Sequence, residues 1–180
     1  MKSITKSDFR KKCIEKLKFC SKTNKIKTDK SICNKIKKII KFEDVKNILF
    51  YIPLEIEVDV RGLLNKLRRE RKYNIFVPYM IGNSLKIVPY RLPLKRKKYK
   101  IKEPNNSYFK YKVNIDLAIV PIVGTDSSKR RVGYGVGFYD RYFASNKKIP
   151  KIIFTQRCLC KSINILTLNH DIKADYIVTA

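Results

Sequence analysis

Tryptophan is absent from this chain, histidine occurs once, at His170, and glycine appears only six times in 180 residues. A single histidine excludes a multi-histidine metal centre and leaves little scope for a serine–histidine–aspartate triad. No cysteine lies close in sequence to that histidine, so covalent nucleophilic catalysis has little support. The five cysteines, at positions 13, 20, 33, 158 and 160, form no CxxC pair of the kind a zinc site uses. Their odd number reads as free thiols, with Cys13, Cys20 and Cys33 as small apolar fillers on helical faces and Cys158 and Cys160 incidental in a basic stretch. Long apolar runs are missing as well: the longest are strand-sized, short of the roughly 20 residues of a membrane span. The basic N-terminus has no apolar stretch that would serve as a signal peptide, so a cytoplasmic protein with no membrane partner is expected.

Acidic residues are scarce: 15 Asp and Glu stand against 42 Lys and Arg, a formal charge of +27. Such a field draws polyanions and invites an RNA-binding reading. The lysines, however, are spread from Lys2 to Lys173, in a chain rich in Ile and Asn and poor in Ala. A drift toward A/T-rich codons produces that composition with no selected polyanion. No specific nucleic-acid partner is therefore expected, and any RNA binding should be weak and salt-sensitive. A basic RNA-binding protein, its bases stacked on a glycine-aromatic loop, is the alternative.

What is present is a chain long enough to bury about 70% of its unfolded surface as one domain spanning residues 1–180. Phe9, Cys13, Leu17 and Cys20 recur at helical spacing between Thr5 and Ser21. Thr28 or Asp29 is placed to cap a second helix with the stripe Ile32, Ile36, Ile39 and Ile40. Asn47 to Ile52 reads as a buried strand stopped by Pro53. Asp59 is placed to cap a helix carrying Val60, Leu63, Leu64 and Leu67, and Asn74 to Val77 reads as a strand closed by Pro78. Further strands are expected over 84–88, 117–123, 151–154 and 176–179, with a charged connector over 95–102. Helices alternating with continuously apolar strands predict an α/β fold: a largely parallel central sheet with helices on both faces.

Half of the glycines fall in Gly133-Tyr134-Gly135-Val136-Gly137, between the apolar strand 117–123 and a helix starting near Phe138. A glycine-rich strand-to-helix turn offers backbone N–H groups to phosphate. The spacing is neither that of a dinucleotide fingerprint nor that of a P-loop. Taken with its flanks, the string from Arg131 to Arg141 resembles the signature of the 5-formyltetrahydrofolate cyclo-ligase (methenyltetrahydrofolate synthetase) family, and the resemblance runs nearly end to end.

That resemblance implies a NagB/RpiA/CoA transferase-like fold and a cytoplasmic, monomeric ligase of one-carbon metabolism. It implies ATP- and Mg²⁺-dependent conversion of 5-formyltetrahydrofolate, with or without a polyglutamyl tail, to 5,10-methenyltetrahydrofolate, ADP and phosphate. Lys6-Ser7-Asp8-Phe9-Arg10 corresponds to the segment that touches the ATP phosphates. Lys6 and Arg10, four apart, share a helical face. Arg131, Val132, Gly133, Tyr134, Gly135, Val136, Gly137, Phe138 and Tyr139 would complete the nucleotide site, with Lys6 and Arg131 as its catalytic cations. Ile52, Glu57 and Tyr134 to Phe138 would face the folate, Glu57 accepting from pterin N–H donors. Asp140 and Asp171 would hold Mg²⁺ through hard carboxylate oxygens. Glu103-Pro104 matches a family pair to which no chemistry is assigned. Departures from the family pattern are Val60, Ile122, Thr125, Lys129 and Val136. A valine at 136 fits only if that residue avoids positive φ.

Overall fold

The computed structural model describes residues 4–82, 84–96, 102–104, 113–146 and 148–180. Its helices are α1 (Lys6–Cys20), α2 (Lys25–Phe42), α3 (Arg61–Arg69) and α4 (Phe138–Ala144). Its strands are β1 (Asn47–Leu49), β2 (Asn74–Ile81), β3 (Ser84–Pro89), β4 (Leu94–Arg96), β5 (Lys102–Pro104), β6 (Leu117–Pro121), β7 (Gly124–Thr125), β8 (Arg131–Val132), β9 (Lys151–Thr155) and β10 (Tyr176–Val178). Six of them form the central sheet in the order β10-β9-β6-β1-β2-β3, while β4-β5 and β7-β8 are separate two-stranded pieces. Every neighbouring pair in the central sheet is parallel except β2 with β3.

Alternation along the strands assigns the two faces. Ile48, Ile75, Val77, Leu117, Ile119 and Ile153 pack with Ile32, Ile36 and Ile40 of α2 and Leu63, Leu64 and Leu67 of α3. Leu49, Phe76, Ala118, Val120, Ile152 and Phe154 point the other way, toward Phe143 of α4. Burial of each such side chain contributes about 1.5–3 kcal/mol, ample to recruit these lysine-rich helices. The α/β fold with helices on both faces is thus the observed one.

Connections leaving β1 and β6 diverge. From β1 the chain crosses by α3 to β2, and from β6 it crosses by way of α4 on the opposite face to β9. The carboxyl ends of β1 and β6 therefore flank a switch point, where open α/β sheets leave a crevice for ligands.

Several boundaries differ from expectation. The α2 helix starts at Lys25, before Thr28 and Asp29, with Asn24 in the left-handed region at φ 47°. Asp29 is turned inward to pair with Arg157 instead of capping. The α3 helix begins at Arg61, whose N–H donates to Asp59 Oδ1 at 3.1 Å. Pro78 does not close β2, which runs on to Ile81. Along β2, the N atoms of Pro78 and Met80 face away from β3, toward the side that β1 has already left, so no ladder bond is lost at the proline. Most of the connector expected over 95–102, and Asn105-Asn106, lie outside the described residues.

The cysteine reading needs the largest correction. Cys13 is joined to Cys160 and Cys20 to Cys158, while Cys33 is free. Positions 13 and 20 lie two turns apart on one face of α1, and that face lands on the segment after β9. Sequence separations of 147 and 138 residues kept this out of reach of spacing arguments. Burial pushes the Cys33 thiol up to about 12, with Asp29 and Asp59 adding to it.

Candidate active site

At the end of β1 the chain passes through Tyr51 and Ile52 into a loop that returns as far as Val58. Tyr51 ties the loop's ends, donating to Val58 O at 2.8 Å and lying 3.0 Å from Thr155 Oγ1. Beneath it is a cavity of about 280 Å³. Its apolar walls are Ile52 and Leu54 from the loop, Pro78, Met80 and Leu85 from the β2–β3 hairpin, Pro121 from β6, and Val136 and Phe138 from the glycine-rich turn. Few polar groups reach it, which is the usual composition of a small-molecule site.

Glu57 is the central one. Only 8% exposed, it lines the cavity, and its Oε2 accepts the Leu54 N–H at 2.8 Å. Burial pushes the carboxyl up to about 7, against the opposing pull of the Leu54 N–H, Arg131, Tyr134 and Arg157. The Tyr134 hydroxyl is buried beside it, close enough to lower its proton affinity but outside strict hydrogen-bonding geometry. An orphaned buried hydroxyl costs about 1–3 kcal/mol, so a cavity lined by one is suited to a ligand with a polar edge. Glu103, 1% exposed on β5, forms another part of the wall and accepts the Met80 N–H at 2.8 Å, closing the bare edge of β2.

Arg131 divides this cavity from a second one. Its Nε donates to Pro121 O at 3.2 Å, Nη1 lies 3.3 Å from Asp140 Oδ2, and its Cζ sits 5.1 Å over the Tyr139 ring. Gly133 has no room for a Cβ, which would lie 2.6 Å from Arg131 Cζ. Gly135 and Gly137 hold φ values of +103° and +72°, conformations a side chain resists. Val136 is not among the positive-φ residues, so valine is unstrained there.

The second cavity, about 370 Å³, is ionic. Lys6, Arg10, Arg131 and Arg141 line it together with Asp140, Asp171 and His170. Arg10 Nε donates to Gly133 O at 2.7 Å, fastening α1 to the glycine turn. Lys6 Nζ lies 2.6 Å from Asp171 Oδ2, which also accepts the Leu168 N–H at 2.7 Å. Asp140 Oδ1 accepts the Ile172 N–H at 3.2 Å. A buried Asp126 stitches the approach to Asp171, accepting from Ser128 and from the Leu166 and Thr167 N–H groups. Although burial opposes it, these donors hold the Asp126 carboxyl well below the usual range.

The structure thus brings Lys6, Arg10, Arg131, Gly133, Gly135, Gly137, Asp140 and Asp171 around one cleft and Ile52, Glu57, Tyr134 and Val136 to Tyr139 around the other. Ser7 and Asp8 are exposed, and Asp8 is occupied with Thr5 at the start of α1. Phe9 and Val132 are core residues packed with Val123 and Cys160, so they support the cleft from behind instead of lining it. Tyr51, Glu103, Arg141 and the loop residue His170 are lining residues to which no role was assigned from sequence. Glu103 had a signal in its Glu-Pro pair; Tyr51 had none, because it reads as an ordinary strand residue.

Two carboxylates and phosphate oxygens form the donor set a hard divalent cation prefers. Among the described residues no group of three or more His, Cys, Asp or Glu side chains could hold a metal alone. The residues therefore fit Mg²⁺ arriving with a polyphosphate. No helix of the described residues is long and apolar enough to cross a membrane.

Residues 2–180 match the 5-formyltetrahydrofolate cyclo-ligase family. A probable 5-formyltetrahydrofolate cyclo-ligase of Schizosaccharomyces pombe is 30% identical over 122 residues, covering 63% of this chain and 59% of that protein. The 5-formyltetrahydrofolate cyclo-ligase of Haemophilus influenzae is 27% identical over 139 residues, covering 72% of this chain and 74% of its own. Among solved structures, a 5,10-methenyltetrahydrofolate synthetase from Mycoplasma pneumoniae superposes with a TM-score of 0.74 at 21% identity, covering 96% of this chain and 97% of that one. The Aquifex aeolicus 5,10-methenyltetrahydrofolate synthetase gives 0.75 at 24%, covering 97% and 89%. The alternative of an RNA-binding protein draws no support from these relatives.

Proposed function

The chain belongs to the 5-formyltetrahydrofolate cyclo-ligase family, and from that premise we propose that its two cavities carry out the ATP-dependent closure of 5-formyltetrahydrofolate to 5,10-methenyltetrahydrofolate in the cytoplasm. The observation that carries the reading is the arrangement itself: an apolar cavity with a buried acceptor, Glu57, joined through Arg131 to a cleft of four cations and two carboxylates.

The chemistry asks for this division. A formamide oxygen is a poor leaving group, so it must be phosphorylated before the folate's own N10 can attack the formyl carbon and close the ring as phosphate departs. The nucleophile belongs to the substrate, and the protein has only to position two ligands and neutralise phosphoryl charge. Glu57 is suited to accept from the pterin's N–H donors, with the Tyr134 hydroxyl beside it as a further polar contact. Pro121 and Phe138 contribute flat apolar wall. Lys6, Arg10 and Arg131, with the N–H groups of the glycine turn, would hold the triphosphate, and Arg131, facing both cavities, is placed to steady the transferred group. Asp140 and Asp171 would hold Mg²⁺, which supplies charge neutralisation on the phosphate oxygens.

Both carboxylates are already paired in the ligand-free cleft, Asp171 with Lys6 and Asp140 with Arg131. An anion alone would meet Lys6 and Arg131 already neutralised, whereas a metal–polyphosphate complex exchanges both pairs at once. A groove next to the folate cavity, sharing Ile52, Leu54 and Tyr134 with it, carries Arg61 and Lys102. Arg61 is paired there with Asp59, so Lys102 is the cation placed to receive the glutamyl carboxylates of a folate tail, polyglutamylated forms included.

The test is ultraviolet absorbance of methenyltetrahydrofolate on mixing the protein with 5-formyltetrahydrofolate. It should rise only when ATP and Mg²⁺ are both present. Turnover without nucleotide, or none with all components, would sink the reading.

A further inference from the structure

Glu57 reaches the folate cavity from a loop, and what holds that loop lies behind it, outside both cavities. Arg157 follows β9 and its side chain is fully buried. It makes five hydrogen bonds, as many as a guanidinium has N–H groups. Nε donates to Asp29 Oδ1 at 2.7 Å and Nη2 to Asp29 Oδ2 at 3.0 Å, a bidentate pair with α2. Nη2 also donates to Glu57 O, and Nη1 donates to Glu55 O at 3.3 Å and to Ser21 Oγ, beyond the end of α1, at 2.7 Å. Asp29 Oδ2 in turn accepts the Asp59 N–H at 3.1 Å. One ion pair thus grips the main chain at Glu55, Glu57 and Asp59, every second residue of the loop.

A buried ion pair is a weak source of stability, because desolvation offsets most of the Coulombic gain. What a planar fork adds is direction: it holds two carbonyls and a carboxylate around one rigid set of donors, which apolar packing cannot do. With the backbone of Glu57 held from behind, its side chain is left to turn inward onto the Leu54 N–H. We propose that the Arg157–Asp29 pair is the positioning element for the folate-contacting carboxylate, setting affinity for 5-formyltetrahydrofolate without touching it. This rests on the reading of Glu57 as the pterin's acceptor. Neither residue lines the nucleotide cleft, so the larger effect is expected on the folate side.

The experiment compares wild type, Arg157→Lys and Asp29→Asn in steady-state assays with each substrate varied. Arg157→Lys keeps the charge and loses the fork. Displacing a contact group by an ångström or less is expected to raise the folate KM by about tenfold, with the ATP KM unchanged within about twofold. Asp29→Asn, which keeps an acceptor, should move the folate KM in the same direction by less. In the background of Glu57→Gln, Arg157→Lys should add almost nothing to the folate KM, since both changes act through one carboxylate. Equal rises in both KM values, an unmoved folate KM, or additive effects in the double variant would each overturn the proposal. Should Arg157→Lys not fold, Asp29→Asn alone and combined with Glu57→Gln decides by the same readings. A wild-type protein without turnover condemns the cyclo-ligase reading itself, whereas an active wild type with insensitive variants condemns only the clamp.

Discussion

The two cavities flanking Arg131 are made of opposite materials. The apolar cavity is walled by Ile52, Leu54, Met80, Leu85 and Val136, with a buried carboxylate whose proton affinity is raised. The ionic cavity is a ring of charges, its aspartates already matched to Arg131 and Lys6. The first gains from any ligand that brings apolar surface and a few donors. The second gains most from a ligand that brings both signs of charge. Specificity in the first therefore rests on where one carboxylate points, and in the second on exchange of ion pairs.

Substitution at the shared wall should break both sides together. Arg131→Ala removes the cation over Tyr139 and unpairs Asp140, and kcat/KM for both substrates is expected to fall by roughly 10³. A fall for only one substrate, measured with each varied in turn, would show that Arg131 is not common to the two sites.

Asp140→Asn should break the ionic side alone. It keeps shape and can still accept the Ile172 N–H, but it leaves the buried Arg131 without its carboxylate, so the melting temperature should fall. Activity is expected to drop by about 10², with partial recovery in excess Mg²⁺. Near-normal turnover with unchanged Mg²⁺ dependence would remove Asp140 from the metal site.

Glu57→Gln should break the apolar side alone, raising the folate KM by about tenfold or more, as loss of a charged hydrogen bond of about 1.5–3 kcal/mol implies. The pH behaviour sharpens this. Burial raises the carboxyl from 4.5 to about 7, so the folded protein holds that proton more tightly than the unfolded chain does. The resulting stability is fully present below about 4.5 and is lost as pH rises through about 7. Thermal melts of ligand-free protein should show a falling contribution across that window, and Glu57→Gln should flatten it. Folate kcat/KM should move oppositely, declining as pH drops below about 7 and the acceptor is protonated.

The smallest effect expected is at Tyr134→Phe. Because the hydroxyl lies outside hydrogen-bonding geometry with Glu57, its removal should leave the ligand-free protein no less stable while weakening folate binding a few-fold. A destabilised Tyr134→Phe would mean that the hydroxyl has a structural partner.

Legibility in the sequence followed the range of the interaction. Helix α1 was readable because Phe9, Cys13 and Leu17 repeat at the period of a turn, and Thr5 caps as its type suggests. The glycine turn was readable because Gly135 and Gly137 need φ values that other residues avoid. Glu57 could be found only through its resemblance to a family position; as a residue in a loop it looks like any exposed acid. The Cys13–Cys160 and Cys20–Cys158 pairs, the passage of β2 through Pro78, and the inward turn of Asp29 were not legible. Each depends on a partner more than 20 residues away: Cys160, Cys158, the early end of β1, and Arg157.

Local chemistry thus decided the elements: turn period, strand alternation, caps and glycine φ values act within a few residues, and the sequence states them directly. Tertiary structure decided which charges meet. Lys6 and Asp171 are 165 residues apart and Arg157 and Asp29 are 128 apart, and an isolated lysine among so many carries no mark of its partner. Burial decided the rest. A carboxylate's proton affinity depends on the water removed around it, and that exists only once the strands, hairpin and glycine turn have closed over Glu57.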